Sequence, residues 1–402
     1  MREALLSGVR PPRLVVTVVW DGGGRDVLET WPRAWPDLRR LIDGGTWFER
    51  AIVGSSPIVA PASHATLGTG VFPRTHGEVD INMRIGPTLT SSGDNGVRLL
   101  VEPTFADLYD RSLRNEPLVG TVATGVWHLN MMSHGSMWGG GDRDLAVLKP
   151  SRALASGPWE LPTQVQPFFS IPRYVNDVDL APYVAELDRA DGRIDERWRD
   201  HPFTLLDDGF DTPARIPYQT ELIERMIKRE GFGADDVPDP LFANYKLIDL
   251  VGHAWSVNSP EMRETLEVQD AELARLVKIL NRHVGRGQWV LMLTADHGSQ
   301  FDPALTGAFR ISQGQLGEAI DDRFDDGDGV GVVEAVHSTQ VFLDVDELDD
   351  VGADVVDVAR FLLAFTQADG ARFGADAVDP DAPVLALAIP PALLEQLPCL
   401  SP

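Results

Sequence analysis

Four short runs of near-continuous apolar residues stand out along the chain: RLVVTVVW at 13–20, LFANYKLI at 241–248, WVLMLTA at 289–295 and TQVFLDV at 339–345. They are rich in β-branched and aromatic side chains and do not alternate with polar ones, which is the pattern of strands covered on both faces. Between them the apolar spacing becomes that of amphipathic helices with recognisable ends. Trp35-Pro36 opens one that closes near Gly44, and Thr104 can cap another. Tyr218 to Glu230 is a third, Ser259-Pro260 opens a long one closing at Gly285, and Val355 to Gln367 is a fifth. Strands alternating with helices predict an α/β fold, with a mostly parallel central sheet and helices on both faces. The segment from about 140 to 237 breaks this rhythm. Gly139 to Gly141 and the four prolines from Pro158 to Pro172 interrupt it, so it reads as a cap inserted over the sheet of a single domain spanning 1–402.

Composition narrows the function more than the fold. With 43% hydrophobic and 24% charged residues, the chain reads as an ordinary soluble globular protein. Its 35 basic and 61 acidic residues give a formal charge of −26, which argues against a nucleic-acid duplex as partner, because phosphate backbones need a basic footprint. No apolar stretch is long enough to predict a membrane span. Cys399 is the single cysteine, so neither an intramolecular disulfide nor a thiolate metal cluster is expected. Any metal site must use His, Asp and Glu. The start, MREALLSGVRPPR, has no visible signal peptide, although a trimmed exported protein would look the same. Compartment and oligomeric state stay open.

Side chains that bind metals stand beside the apolar runs. Asp21 follows the first, Asp249 follows the second with His253 four residues on, Asp296 and His297 follow the third, and His337 precedes the fourth. In open α/β sheets ligands gather beyond the carboxyl ends of the strands, so residues far apart in sequence can converge on one rim. An Asp and a His at i, i+4 face the same way on a helix. Taken singly, each has an ordinary reading as a cap, a turn residue or a surface histidine. Six together point to a metal site, and Zn²⁺ accepts this mixture of imidazole and carboxylate.

VVWDGGG (18–24), SHATLGTGVFPRTHG (63–77), DLVGH (249–253), TADHG (294–298) and AVH (335–337) together resemble the alkaline phosphatase superfamily. The resemblance is closest to its type I phosphodiesterase/nucleotide pyrophosphatase family, in the same motif order, with 140–237 poorly matched. It implies an alkaline phosphatase-like catalytic domain holding two zinc ions. Asp249, His253 and His337 would hold one, and Asp21, Asp296 and His297 the other. The implied reaction hydrolyses a phosphodiester or pyrophosphate bond of a small phosphate ester, nucleotides included, through a covalent phospho-enzyme. Asn82, in HGEVDINMR, matches the side chain that grips a phosphoryl oxygen.

The nucleophile implied by the resemblance is a Thr or Ser opening a helix, and Ala60 stands at that position. Pro61 suits the first position of a helix running to Thr69, with Gly70 as terminator, which makes residue 60 the N-cap. Alanine there forgoes a cap oxygen worth roughly 0.5–2 kcal/mol. Local structure and family pattern thus ask for the same hydroxyl. Three explanations compete: a Thr-to-Ala or Ser-to-Ala inactive form of an intact site, a natural homologue that binds without cleaving, or a nucleophile displaced to Ser63 or Ser56. The functional alternatives are a phosphomonoesterase on the same scaffold, using a cation such as Arg143 or Lys149, and a metal-dependent phosphate-ester binding protein. Trp127, Trp138 and Trp255 lie near the predicted site loops and could stack on a substrate ring. His64 and His76 read as supports of the helix between them. WGGGDRD (138–144) reads as a turn, and DDRFDDGDG (321–329) as a solvated acidic loop.

Overall fold

The computed structural model describes residues 10–149, 157–324, 327, 329–337, 339–394 and 396. The first nine residues, Cys399 and part of the acidic loop 321–329 lie outside the described residues. The chain divides into two compact units after Gln300.

The first unit is built on a six-stranded sheet. Its strands, numbered along the chain, are β1 (Leu14–Trp20), β2 (Gly120–Ala123), β3 (Asp144–Leu148), β4 (Phe169–Ser170), β5 (Asp239–Tyr245) and β6 (Trp289–Thr294). Their spatial order is β6-β1-β5-β2-β3-β4, and every neighbouring pair is parallel. Alternate residues of β1 go to opposite faces. Leu14, Val16, Val18 and Trp20 enter one buried cluster, and Val19 enters the other. The first cluster takes its cover from α1 (Pro36–Asp43), α4 (Arg215–Met226) and α6 (Pro260–His283). The second takes Ala65 of α2 (Ala60–Thr69), Ala106 of α3 (Phe105–Ser112) and the short turns of Val126–Met131. Helices therefore cover both faces, as the sequence predicted.

The helix ends follow their local chemistry. Thr104 closes a capping box with Asp107 at the start of α3, and the Ser259 hydroxyl accepts from the Met262 amide at the start of α6. Two strand expectations need correction. The apolar run at 241–248 turns helical after Tyr245, where α5 (Leu247–Trp255) begins. The run at 339–345 is not in the parallel sheet. Its core, Gln340–Leu343, pairs antiparallel with Val333–His337 in the second unit, packed near Ile320, Phe324, Val358 and Leu362. Short apolar runs fit a hairpin and a parallel strand equally, so periodicity could not separate the two. The segment 140–237 supplies β3, β4 and α4 to the sheet and its cover, besides the irregular chain between them.

Close approach sets one glycine. A Cβ at Gly68, on the buried face of α2, would stand 2.1 Å from the Asn130 carbonyl oxygen and 2.9 Å from Met131 Cα. Both neighbours are backbone, so Gly68→Ala must push α2 off the Val126–Met131 turns. A loss of about 1–3 kcal/mol is expected in denaturant unfolding.

At the amino ends of the strands, Asp144 opens β3 with its carboxylate near those of Asp110 and Asp142, ligand atoms all within 4.8 Å. Burial first, and the neighbouring acids after it, push Asp144 up to about 8, against the Ser133 hydroxyl that donates to it. A buried acid with a raised pKa holds its proton in the fold and releases it when unfolded. Its stability contribution is full below about pH 4 and is lost as pH rises toward 8. Asp144→Asn should therefore be more stable than the native protein at pH 8, on the order of 2 kcal/mol, and match it near pH 4. Urea titrations at the two pH values check the sign.

Candidate active site

The carboxyl ends of three adjacent strands, β6, β1 and β5, each release an acid into the same space. Asp21 follows β1 and is fully buried, Asp296 lies just beyond β6, and Asp249 sits in the first turn of α5, which follows β5. His297 completes the group. Its Nδ1 donates to the Gly298 carbonyl at 2.8 Å, which leaves the Nε2 lone pair for a ligand. That Nε2 lies 3.5 Å from Asp296 Oδ2, 3.6 Å from Asp21 Oδ1 and 3.7 Å from Asp249 Oδ1.

Three carboxylates around one imidazole nitrogen form an arrangement that a divalent cation stabilises and that is costly without one. Asp296 states this most plainly. Its Oδ1 accepts from the Gly22 and His297 amides, each at 3.0 Å, while its buried Oδ2 has no hydrogen-bond partner. An orphaned buried oxygen facing an imidazole lone pair fits a metal ligand. Burial, then the Asp21 charge, raises the Asp296 carboxyl above its usual range. Burial would raise Asp21 too, but the Lys246 ammonium and the His128 hydrogen bond outweigh it and hold Asp21 well below the usual range. At His297 burial disfavours the charged ring, yet the charges of Asp296, Asp21 and Asp249 prevail and raise it.

A polar layer fixes these ligands. His128 accepts the Gly125 amide at Nδ1, so its Nε2 donates to Asp21 Oδ2 at 3.2 Å. Asn244, at the end of β5, donates to the same Oδ2 at 2.9 Å and lies 3.0 Å from His64 Nε2. The other nitrogen of His64 is 2.8 Å from the Ala60 carbonyl oxygen and 3.4 Å from Asp296 Oδ2. His64 thus ties the first turn of α2 to the acid cluster. Lys246 lies between two of the acids, 2.7 Å from Asp21 Oδ1 and 2.8 Å from Asp249 Oδ2.

The helix α2 begins one residue earlier than expected. Val59, extended at φ −135° and ψ 151°, is its N-cap and makes no side-chain cap, so Ala60 is the first helical residue and Pro61 the second. Proline fits either early position because neither amide has an intrahelical acceptor. The capping argument for a hydroxyl at residue 60 therefore lapses. The argument from its place beside His64 and the acids does not depend on it.

The other expected residues are more dispersed. His253 approaches Asp249 Oδ1 at 3.3 Å from the outer side of α5, with its side chain 78% exposed. His337 ends the strand Val333–His337 of the second unit. Asn82 begins a two-stranded hairpin, opposite Ser91. Trp127 Nε1 lies 3.1 Å from His128 Nε2, one side chain removed from Asp21. Trp255 instead packs its ring against Trp198 and His201, at 5.5 and 4.7 Å between centroids, and Trp138 lies against His134. His76 hydrogen-bonds Thr66 and the Glu78 amide, a support for the end of α2. Arg143 is engaged by the Gln166 and Phe169 carbonyls, and Lys149, which follows β3 on the same rim as the acids, donates to the Gly157 carbonyl at 2.9 Å, its pKa lowered to about 8 by burial. Sequence reasoning passed over His128, Asn244 and Lys246. The last two were within reach, because they lie inside the same apolar run that delivers Asp249.

Comparison with known proteins gives the family and the fold. The family described as type I phosphodiesterase / nucleotide pyrophosphatase matches residues 15–366. The alkaline phosphatase PafA of Elizabethkingia meningoseptica is 21% identical over 89% of this chain and 73% of its own length. The alkaline phosphatase PhoV of Synechococcus elongatus is 21% identical over 74% of this chain and 61% of its own. The crystal structure of wild-type alkaline phosphatase PafA superposes with a TM-score of 0.71 at 18% identity, covering 89% of this chain and 76% of that one, which establishes the shared fold. With a family match running nearly end to end over a parallel sheet whose rim gathers the expected acids and imidazole, the chain belongs to the type I phosphodiesterase/nucleotide pyrophosphatase family of phosphoric ester hydrolases.

Proposed function

We propose that the protein is built as a metal-dependent phosphodiesterase or nucleotide pyrophosphatase, with Ala60 at the nucleophile position. The observation that supports this best is the buried, unpartnered Asp296 Oδ2 facing the Nε2 of His297 beside Asp21 and Asp249. Asp21, Asp296 and His297 would hold one zinc ion and Asp249 with His253 would contribute to a second, and the bound metal would supply charge neutralisation for the phosphoryl group and a lowered pKa for an attacking hydroxyl. The chain's own groups do the rest. The α2 N-terminus favours an anionic phosphoryl group, His64 fixes the first turn of that helix through the Ala60 carbonyl, and Asn244 and His128 hold Asp21 in orientation. Asn82 is assigned to a phosphoryl oxygen, and Trp127 and Trp255 to the organic part of the substrate. The irregular chain of segment 140–237 outside β3, β4 and α4 is assigned to substrate selection. Residue 60 has no oxygen to attack with, so this chain keeps the binding steps and is impaired in the covalent one.

A second reading is a phosphomonoesterase, favoured by the alkaline phosphatases among the relatives and by buried Lys149 on the same rim. A third is a phosphate-ester binding protein without turnover. The Ala60→Thr protein, supplied with zinc, separates them on bis-p-nitrophenyl phosphate, p-nitrophenyl phosphate and a dinucleotide. The proposal expects faster cleavage of the diester and the dinucleotide. A preference for the monoester would support the second reading, and nucleotide binding with no cleavage of any substrate the third.

A further inference from the structure

Lys246 puts a positive charge inside a site expected to hold two divalent cations. It is the residue between the end of β5 and the start of α5, and its side chain is 14% exposed. Its ammonium bridges Asp21 Oδ1 and Asp249 Oδ2, at 2.7 and 2.8 Å, the very acids expected to serve different ions.

Charge balance then departs from that of a two-ion site. Asp21, Asp249 and Asp296 carry three negative charges, and Lys246 neutralises one, leaving the charge that a single divalent ion matches. Ala60 removes the further negative charge that an ionised hydroxyl would bring. The two ion positions are also unequally available. Lys246 occupies Asp21 Oδ1 and Asp249 Oδ2 alike, and Asp249 Oδ1 faces His253 at 3.3 Å, so what separates the two positions is Asp296 Oδ2, which has no hydrogen-bond partner and faces His297 Nε2 at 3.5 Å. A metal ion about 2.0–2.2 Å from a carboxylate oxygen that already accepts from an ammonium would meet a like charge within a few ångströms, in a site with little water to screen it.

We infer that Lys246 is a resident cation of this site, and that the chain without an anionic ligand retains one divalent ion, on Asp21, Asp296 and His297, in place of two. The inference rests on the metal-dependent reading above. It makes Lys246 a positioning residue that sets metal stoichiometry.

The test is a zinc count. Native protein, Lys246→Met and Lys246→Arg are equilibrated with excess zinc, freed of unbound metal by gel filtration and measured by inductively coupled plasma mass spectrometry, with affinities from zinc titration calorimetry. One ion per chain is expected for the native and Lys246→Arg proteins and two for Lys246→Met, whose second ion should bind about 100-fold tighter than any second ion on the native chain. Asp296→Asn should lose the ion counted in the native protein. Two ions on the native chain, or one on a folded Lys246→Met chain, would overturn the inference and leave the metal-dependent reading standing. No zinc on any of them would overturn both. Should Lys246→Met not fold, the native and Lys246→Arg counts decide alone.

Discussion

Installing threonine at residue 60 is expected to raise the zinc-supplied diester cleavage rate on the order of 10²–10³-fold or more over the native chain, in a steady-state assay with bis-p-nitrophenyl phosphate. Ala60 is 7% exposed, in the first turn of α2, where the helix N-terminus favours a developing oxyanion. His64 joins the carbonyl of residue 60 to the surroundings of Asp296 and Asn244. An oxygen added at Cβ would therefore be offered to a phosphoryl group on a fixed backbone, with the supporting residues already in position. The gain should appear in kcat rather than KM, because the substrate's binding groups are unchanged and only the covalent step acquires its nucleophile. Equal rates for the two proteins would remove residue 60 from the chemistry. Ser63 would then be the hydroxyl to examine, although it is only 3% exposed and its Oγ has no hydrogen-bond partner.

Asp296→Asn should have the second large effect, on zinc-dependent stability. The amide keeps an oxygen for the Gly22 and His297 amides but puts a neutral NH₂ where Oδ2 faces His297. Two consequences follow from removing this charge. The zinc-free protein gains stability above the ordinary carboxylate range, because burial and Asp21 both disfavour a charged Asp296 in the fold. Zinc also loses a ligand, and affinity about 100-fold weaker removes up to about 2.7 kcal/mol of ligand-linked stabilisation. Thermal unfolding with and without zinc measures both. The native protein should gain markedly on adding zinc and the variant little. An equal gain in both would show that zinc binds elsewhere.

The sequence disclosed the chemistry of the site more fully than its surroundings. Asp21, Asp249, Asp296 and His297 were legible because each follows a strand-like run, and parallel strands deliver such residues to one rim. β2, β3 and β4 escaped notice because four-, five- and two-residue segments carry too little apolar pattern to register. The run at 339–345 looked like a strand of the central sheet for the converse reason, since a run of apolar residues reports burial and not pairing direction. Proline at 61 located the start of α2 only to within one residue, because it fits two positions equally. His128 was hidden for a physical reason: a buried imidazole that supports a carboxylate looks in sequence like any other histidine. Lys246 was in plain view beside Asp249, but a lysine next to metal-binding acids contradicts the expected charge, and only the distances reveal its role.

Diffraction from crystals of the native protein soaked in zinc, recorded on both sides of the zinc absorption edge, tests the central claim most directly. An anomalous peak enclosed by Asp21, Asp296 and His297, within about 2.0–2.2 Å of the imidazole Nε2 and a carboxylate oxygen, is the predicted result. A strong zinc peak elsewhere, with these three side chains left as they stand, would contradict it.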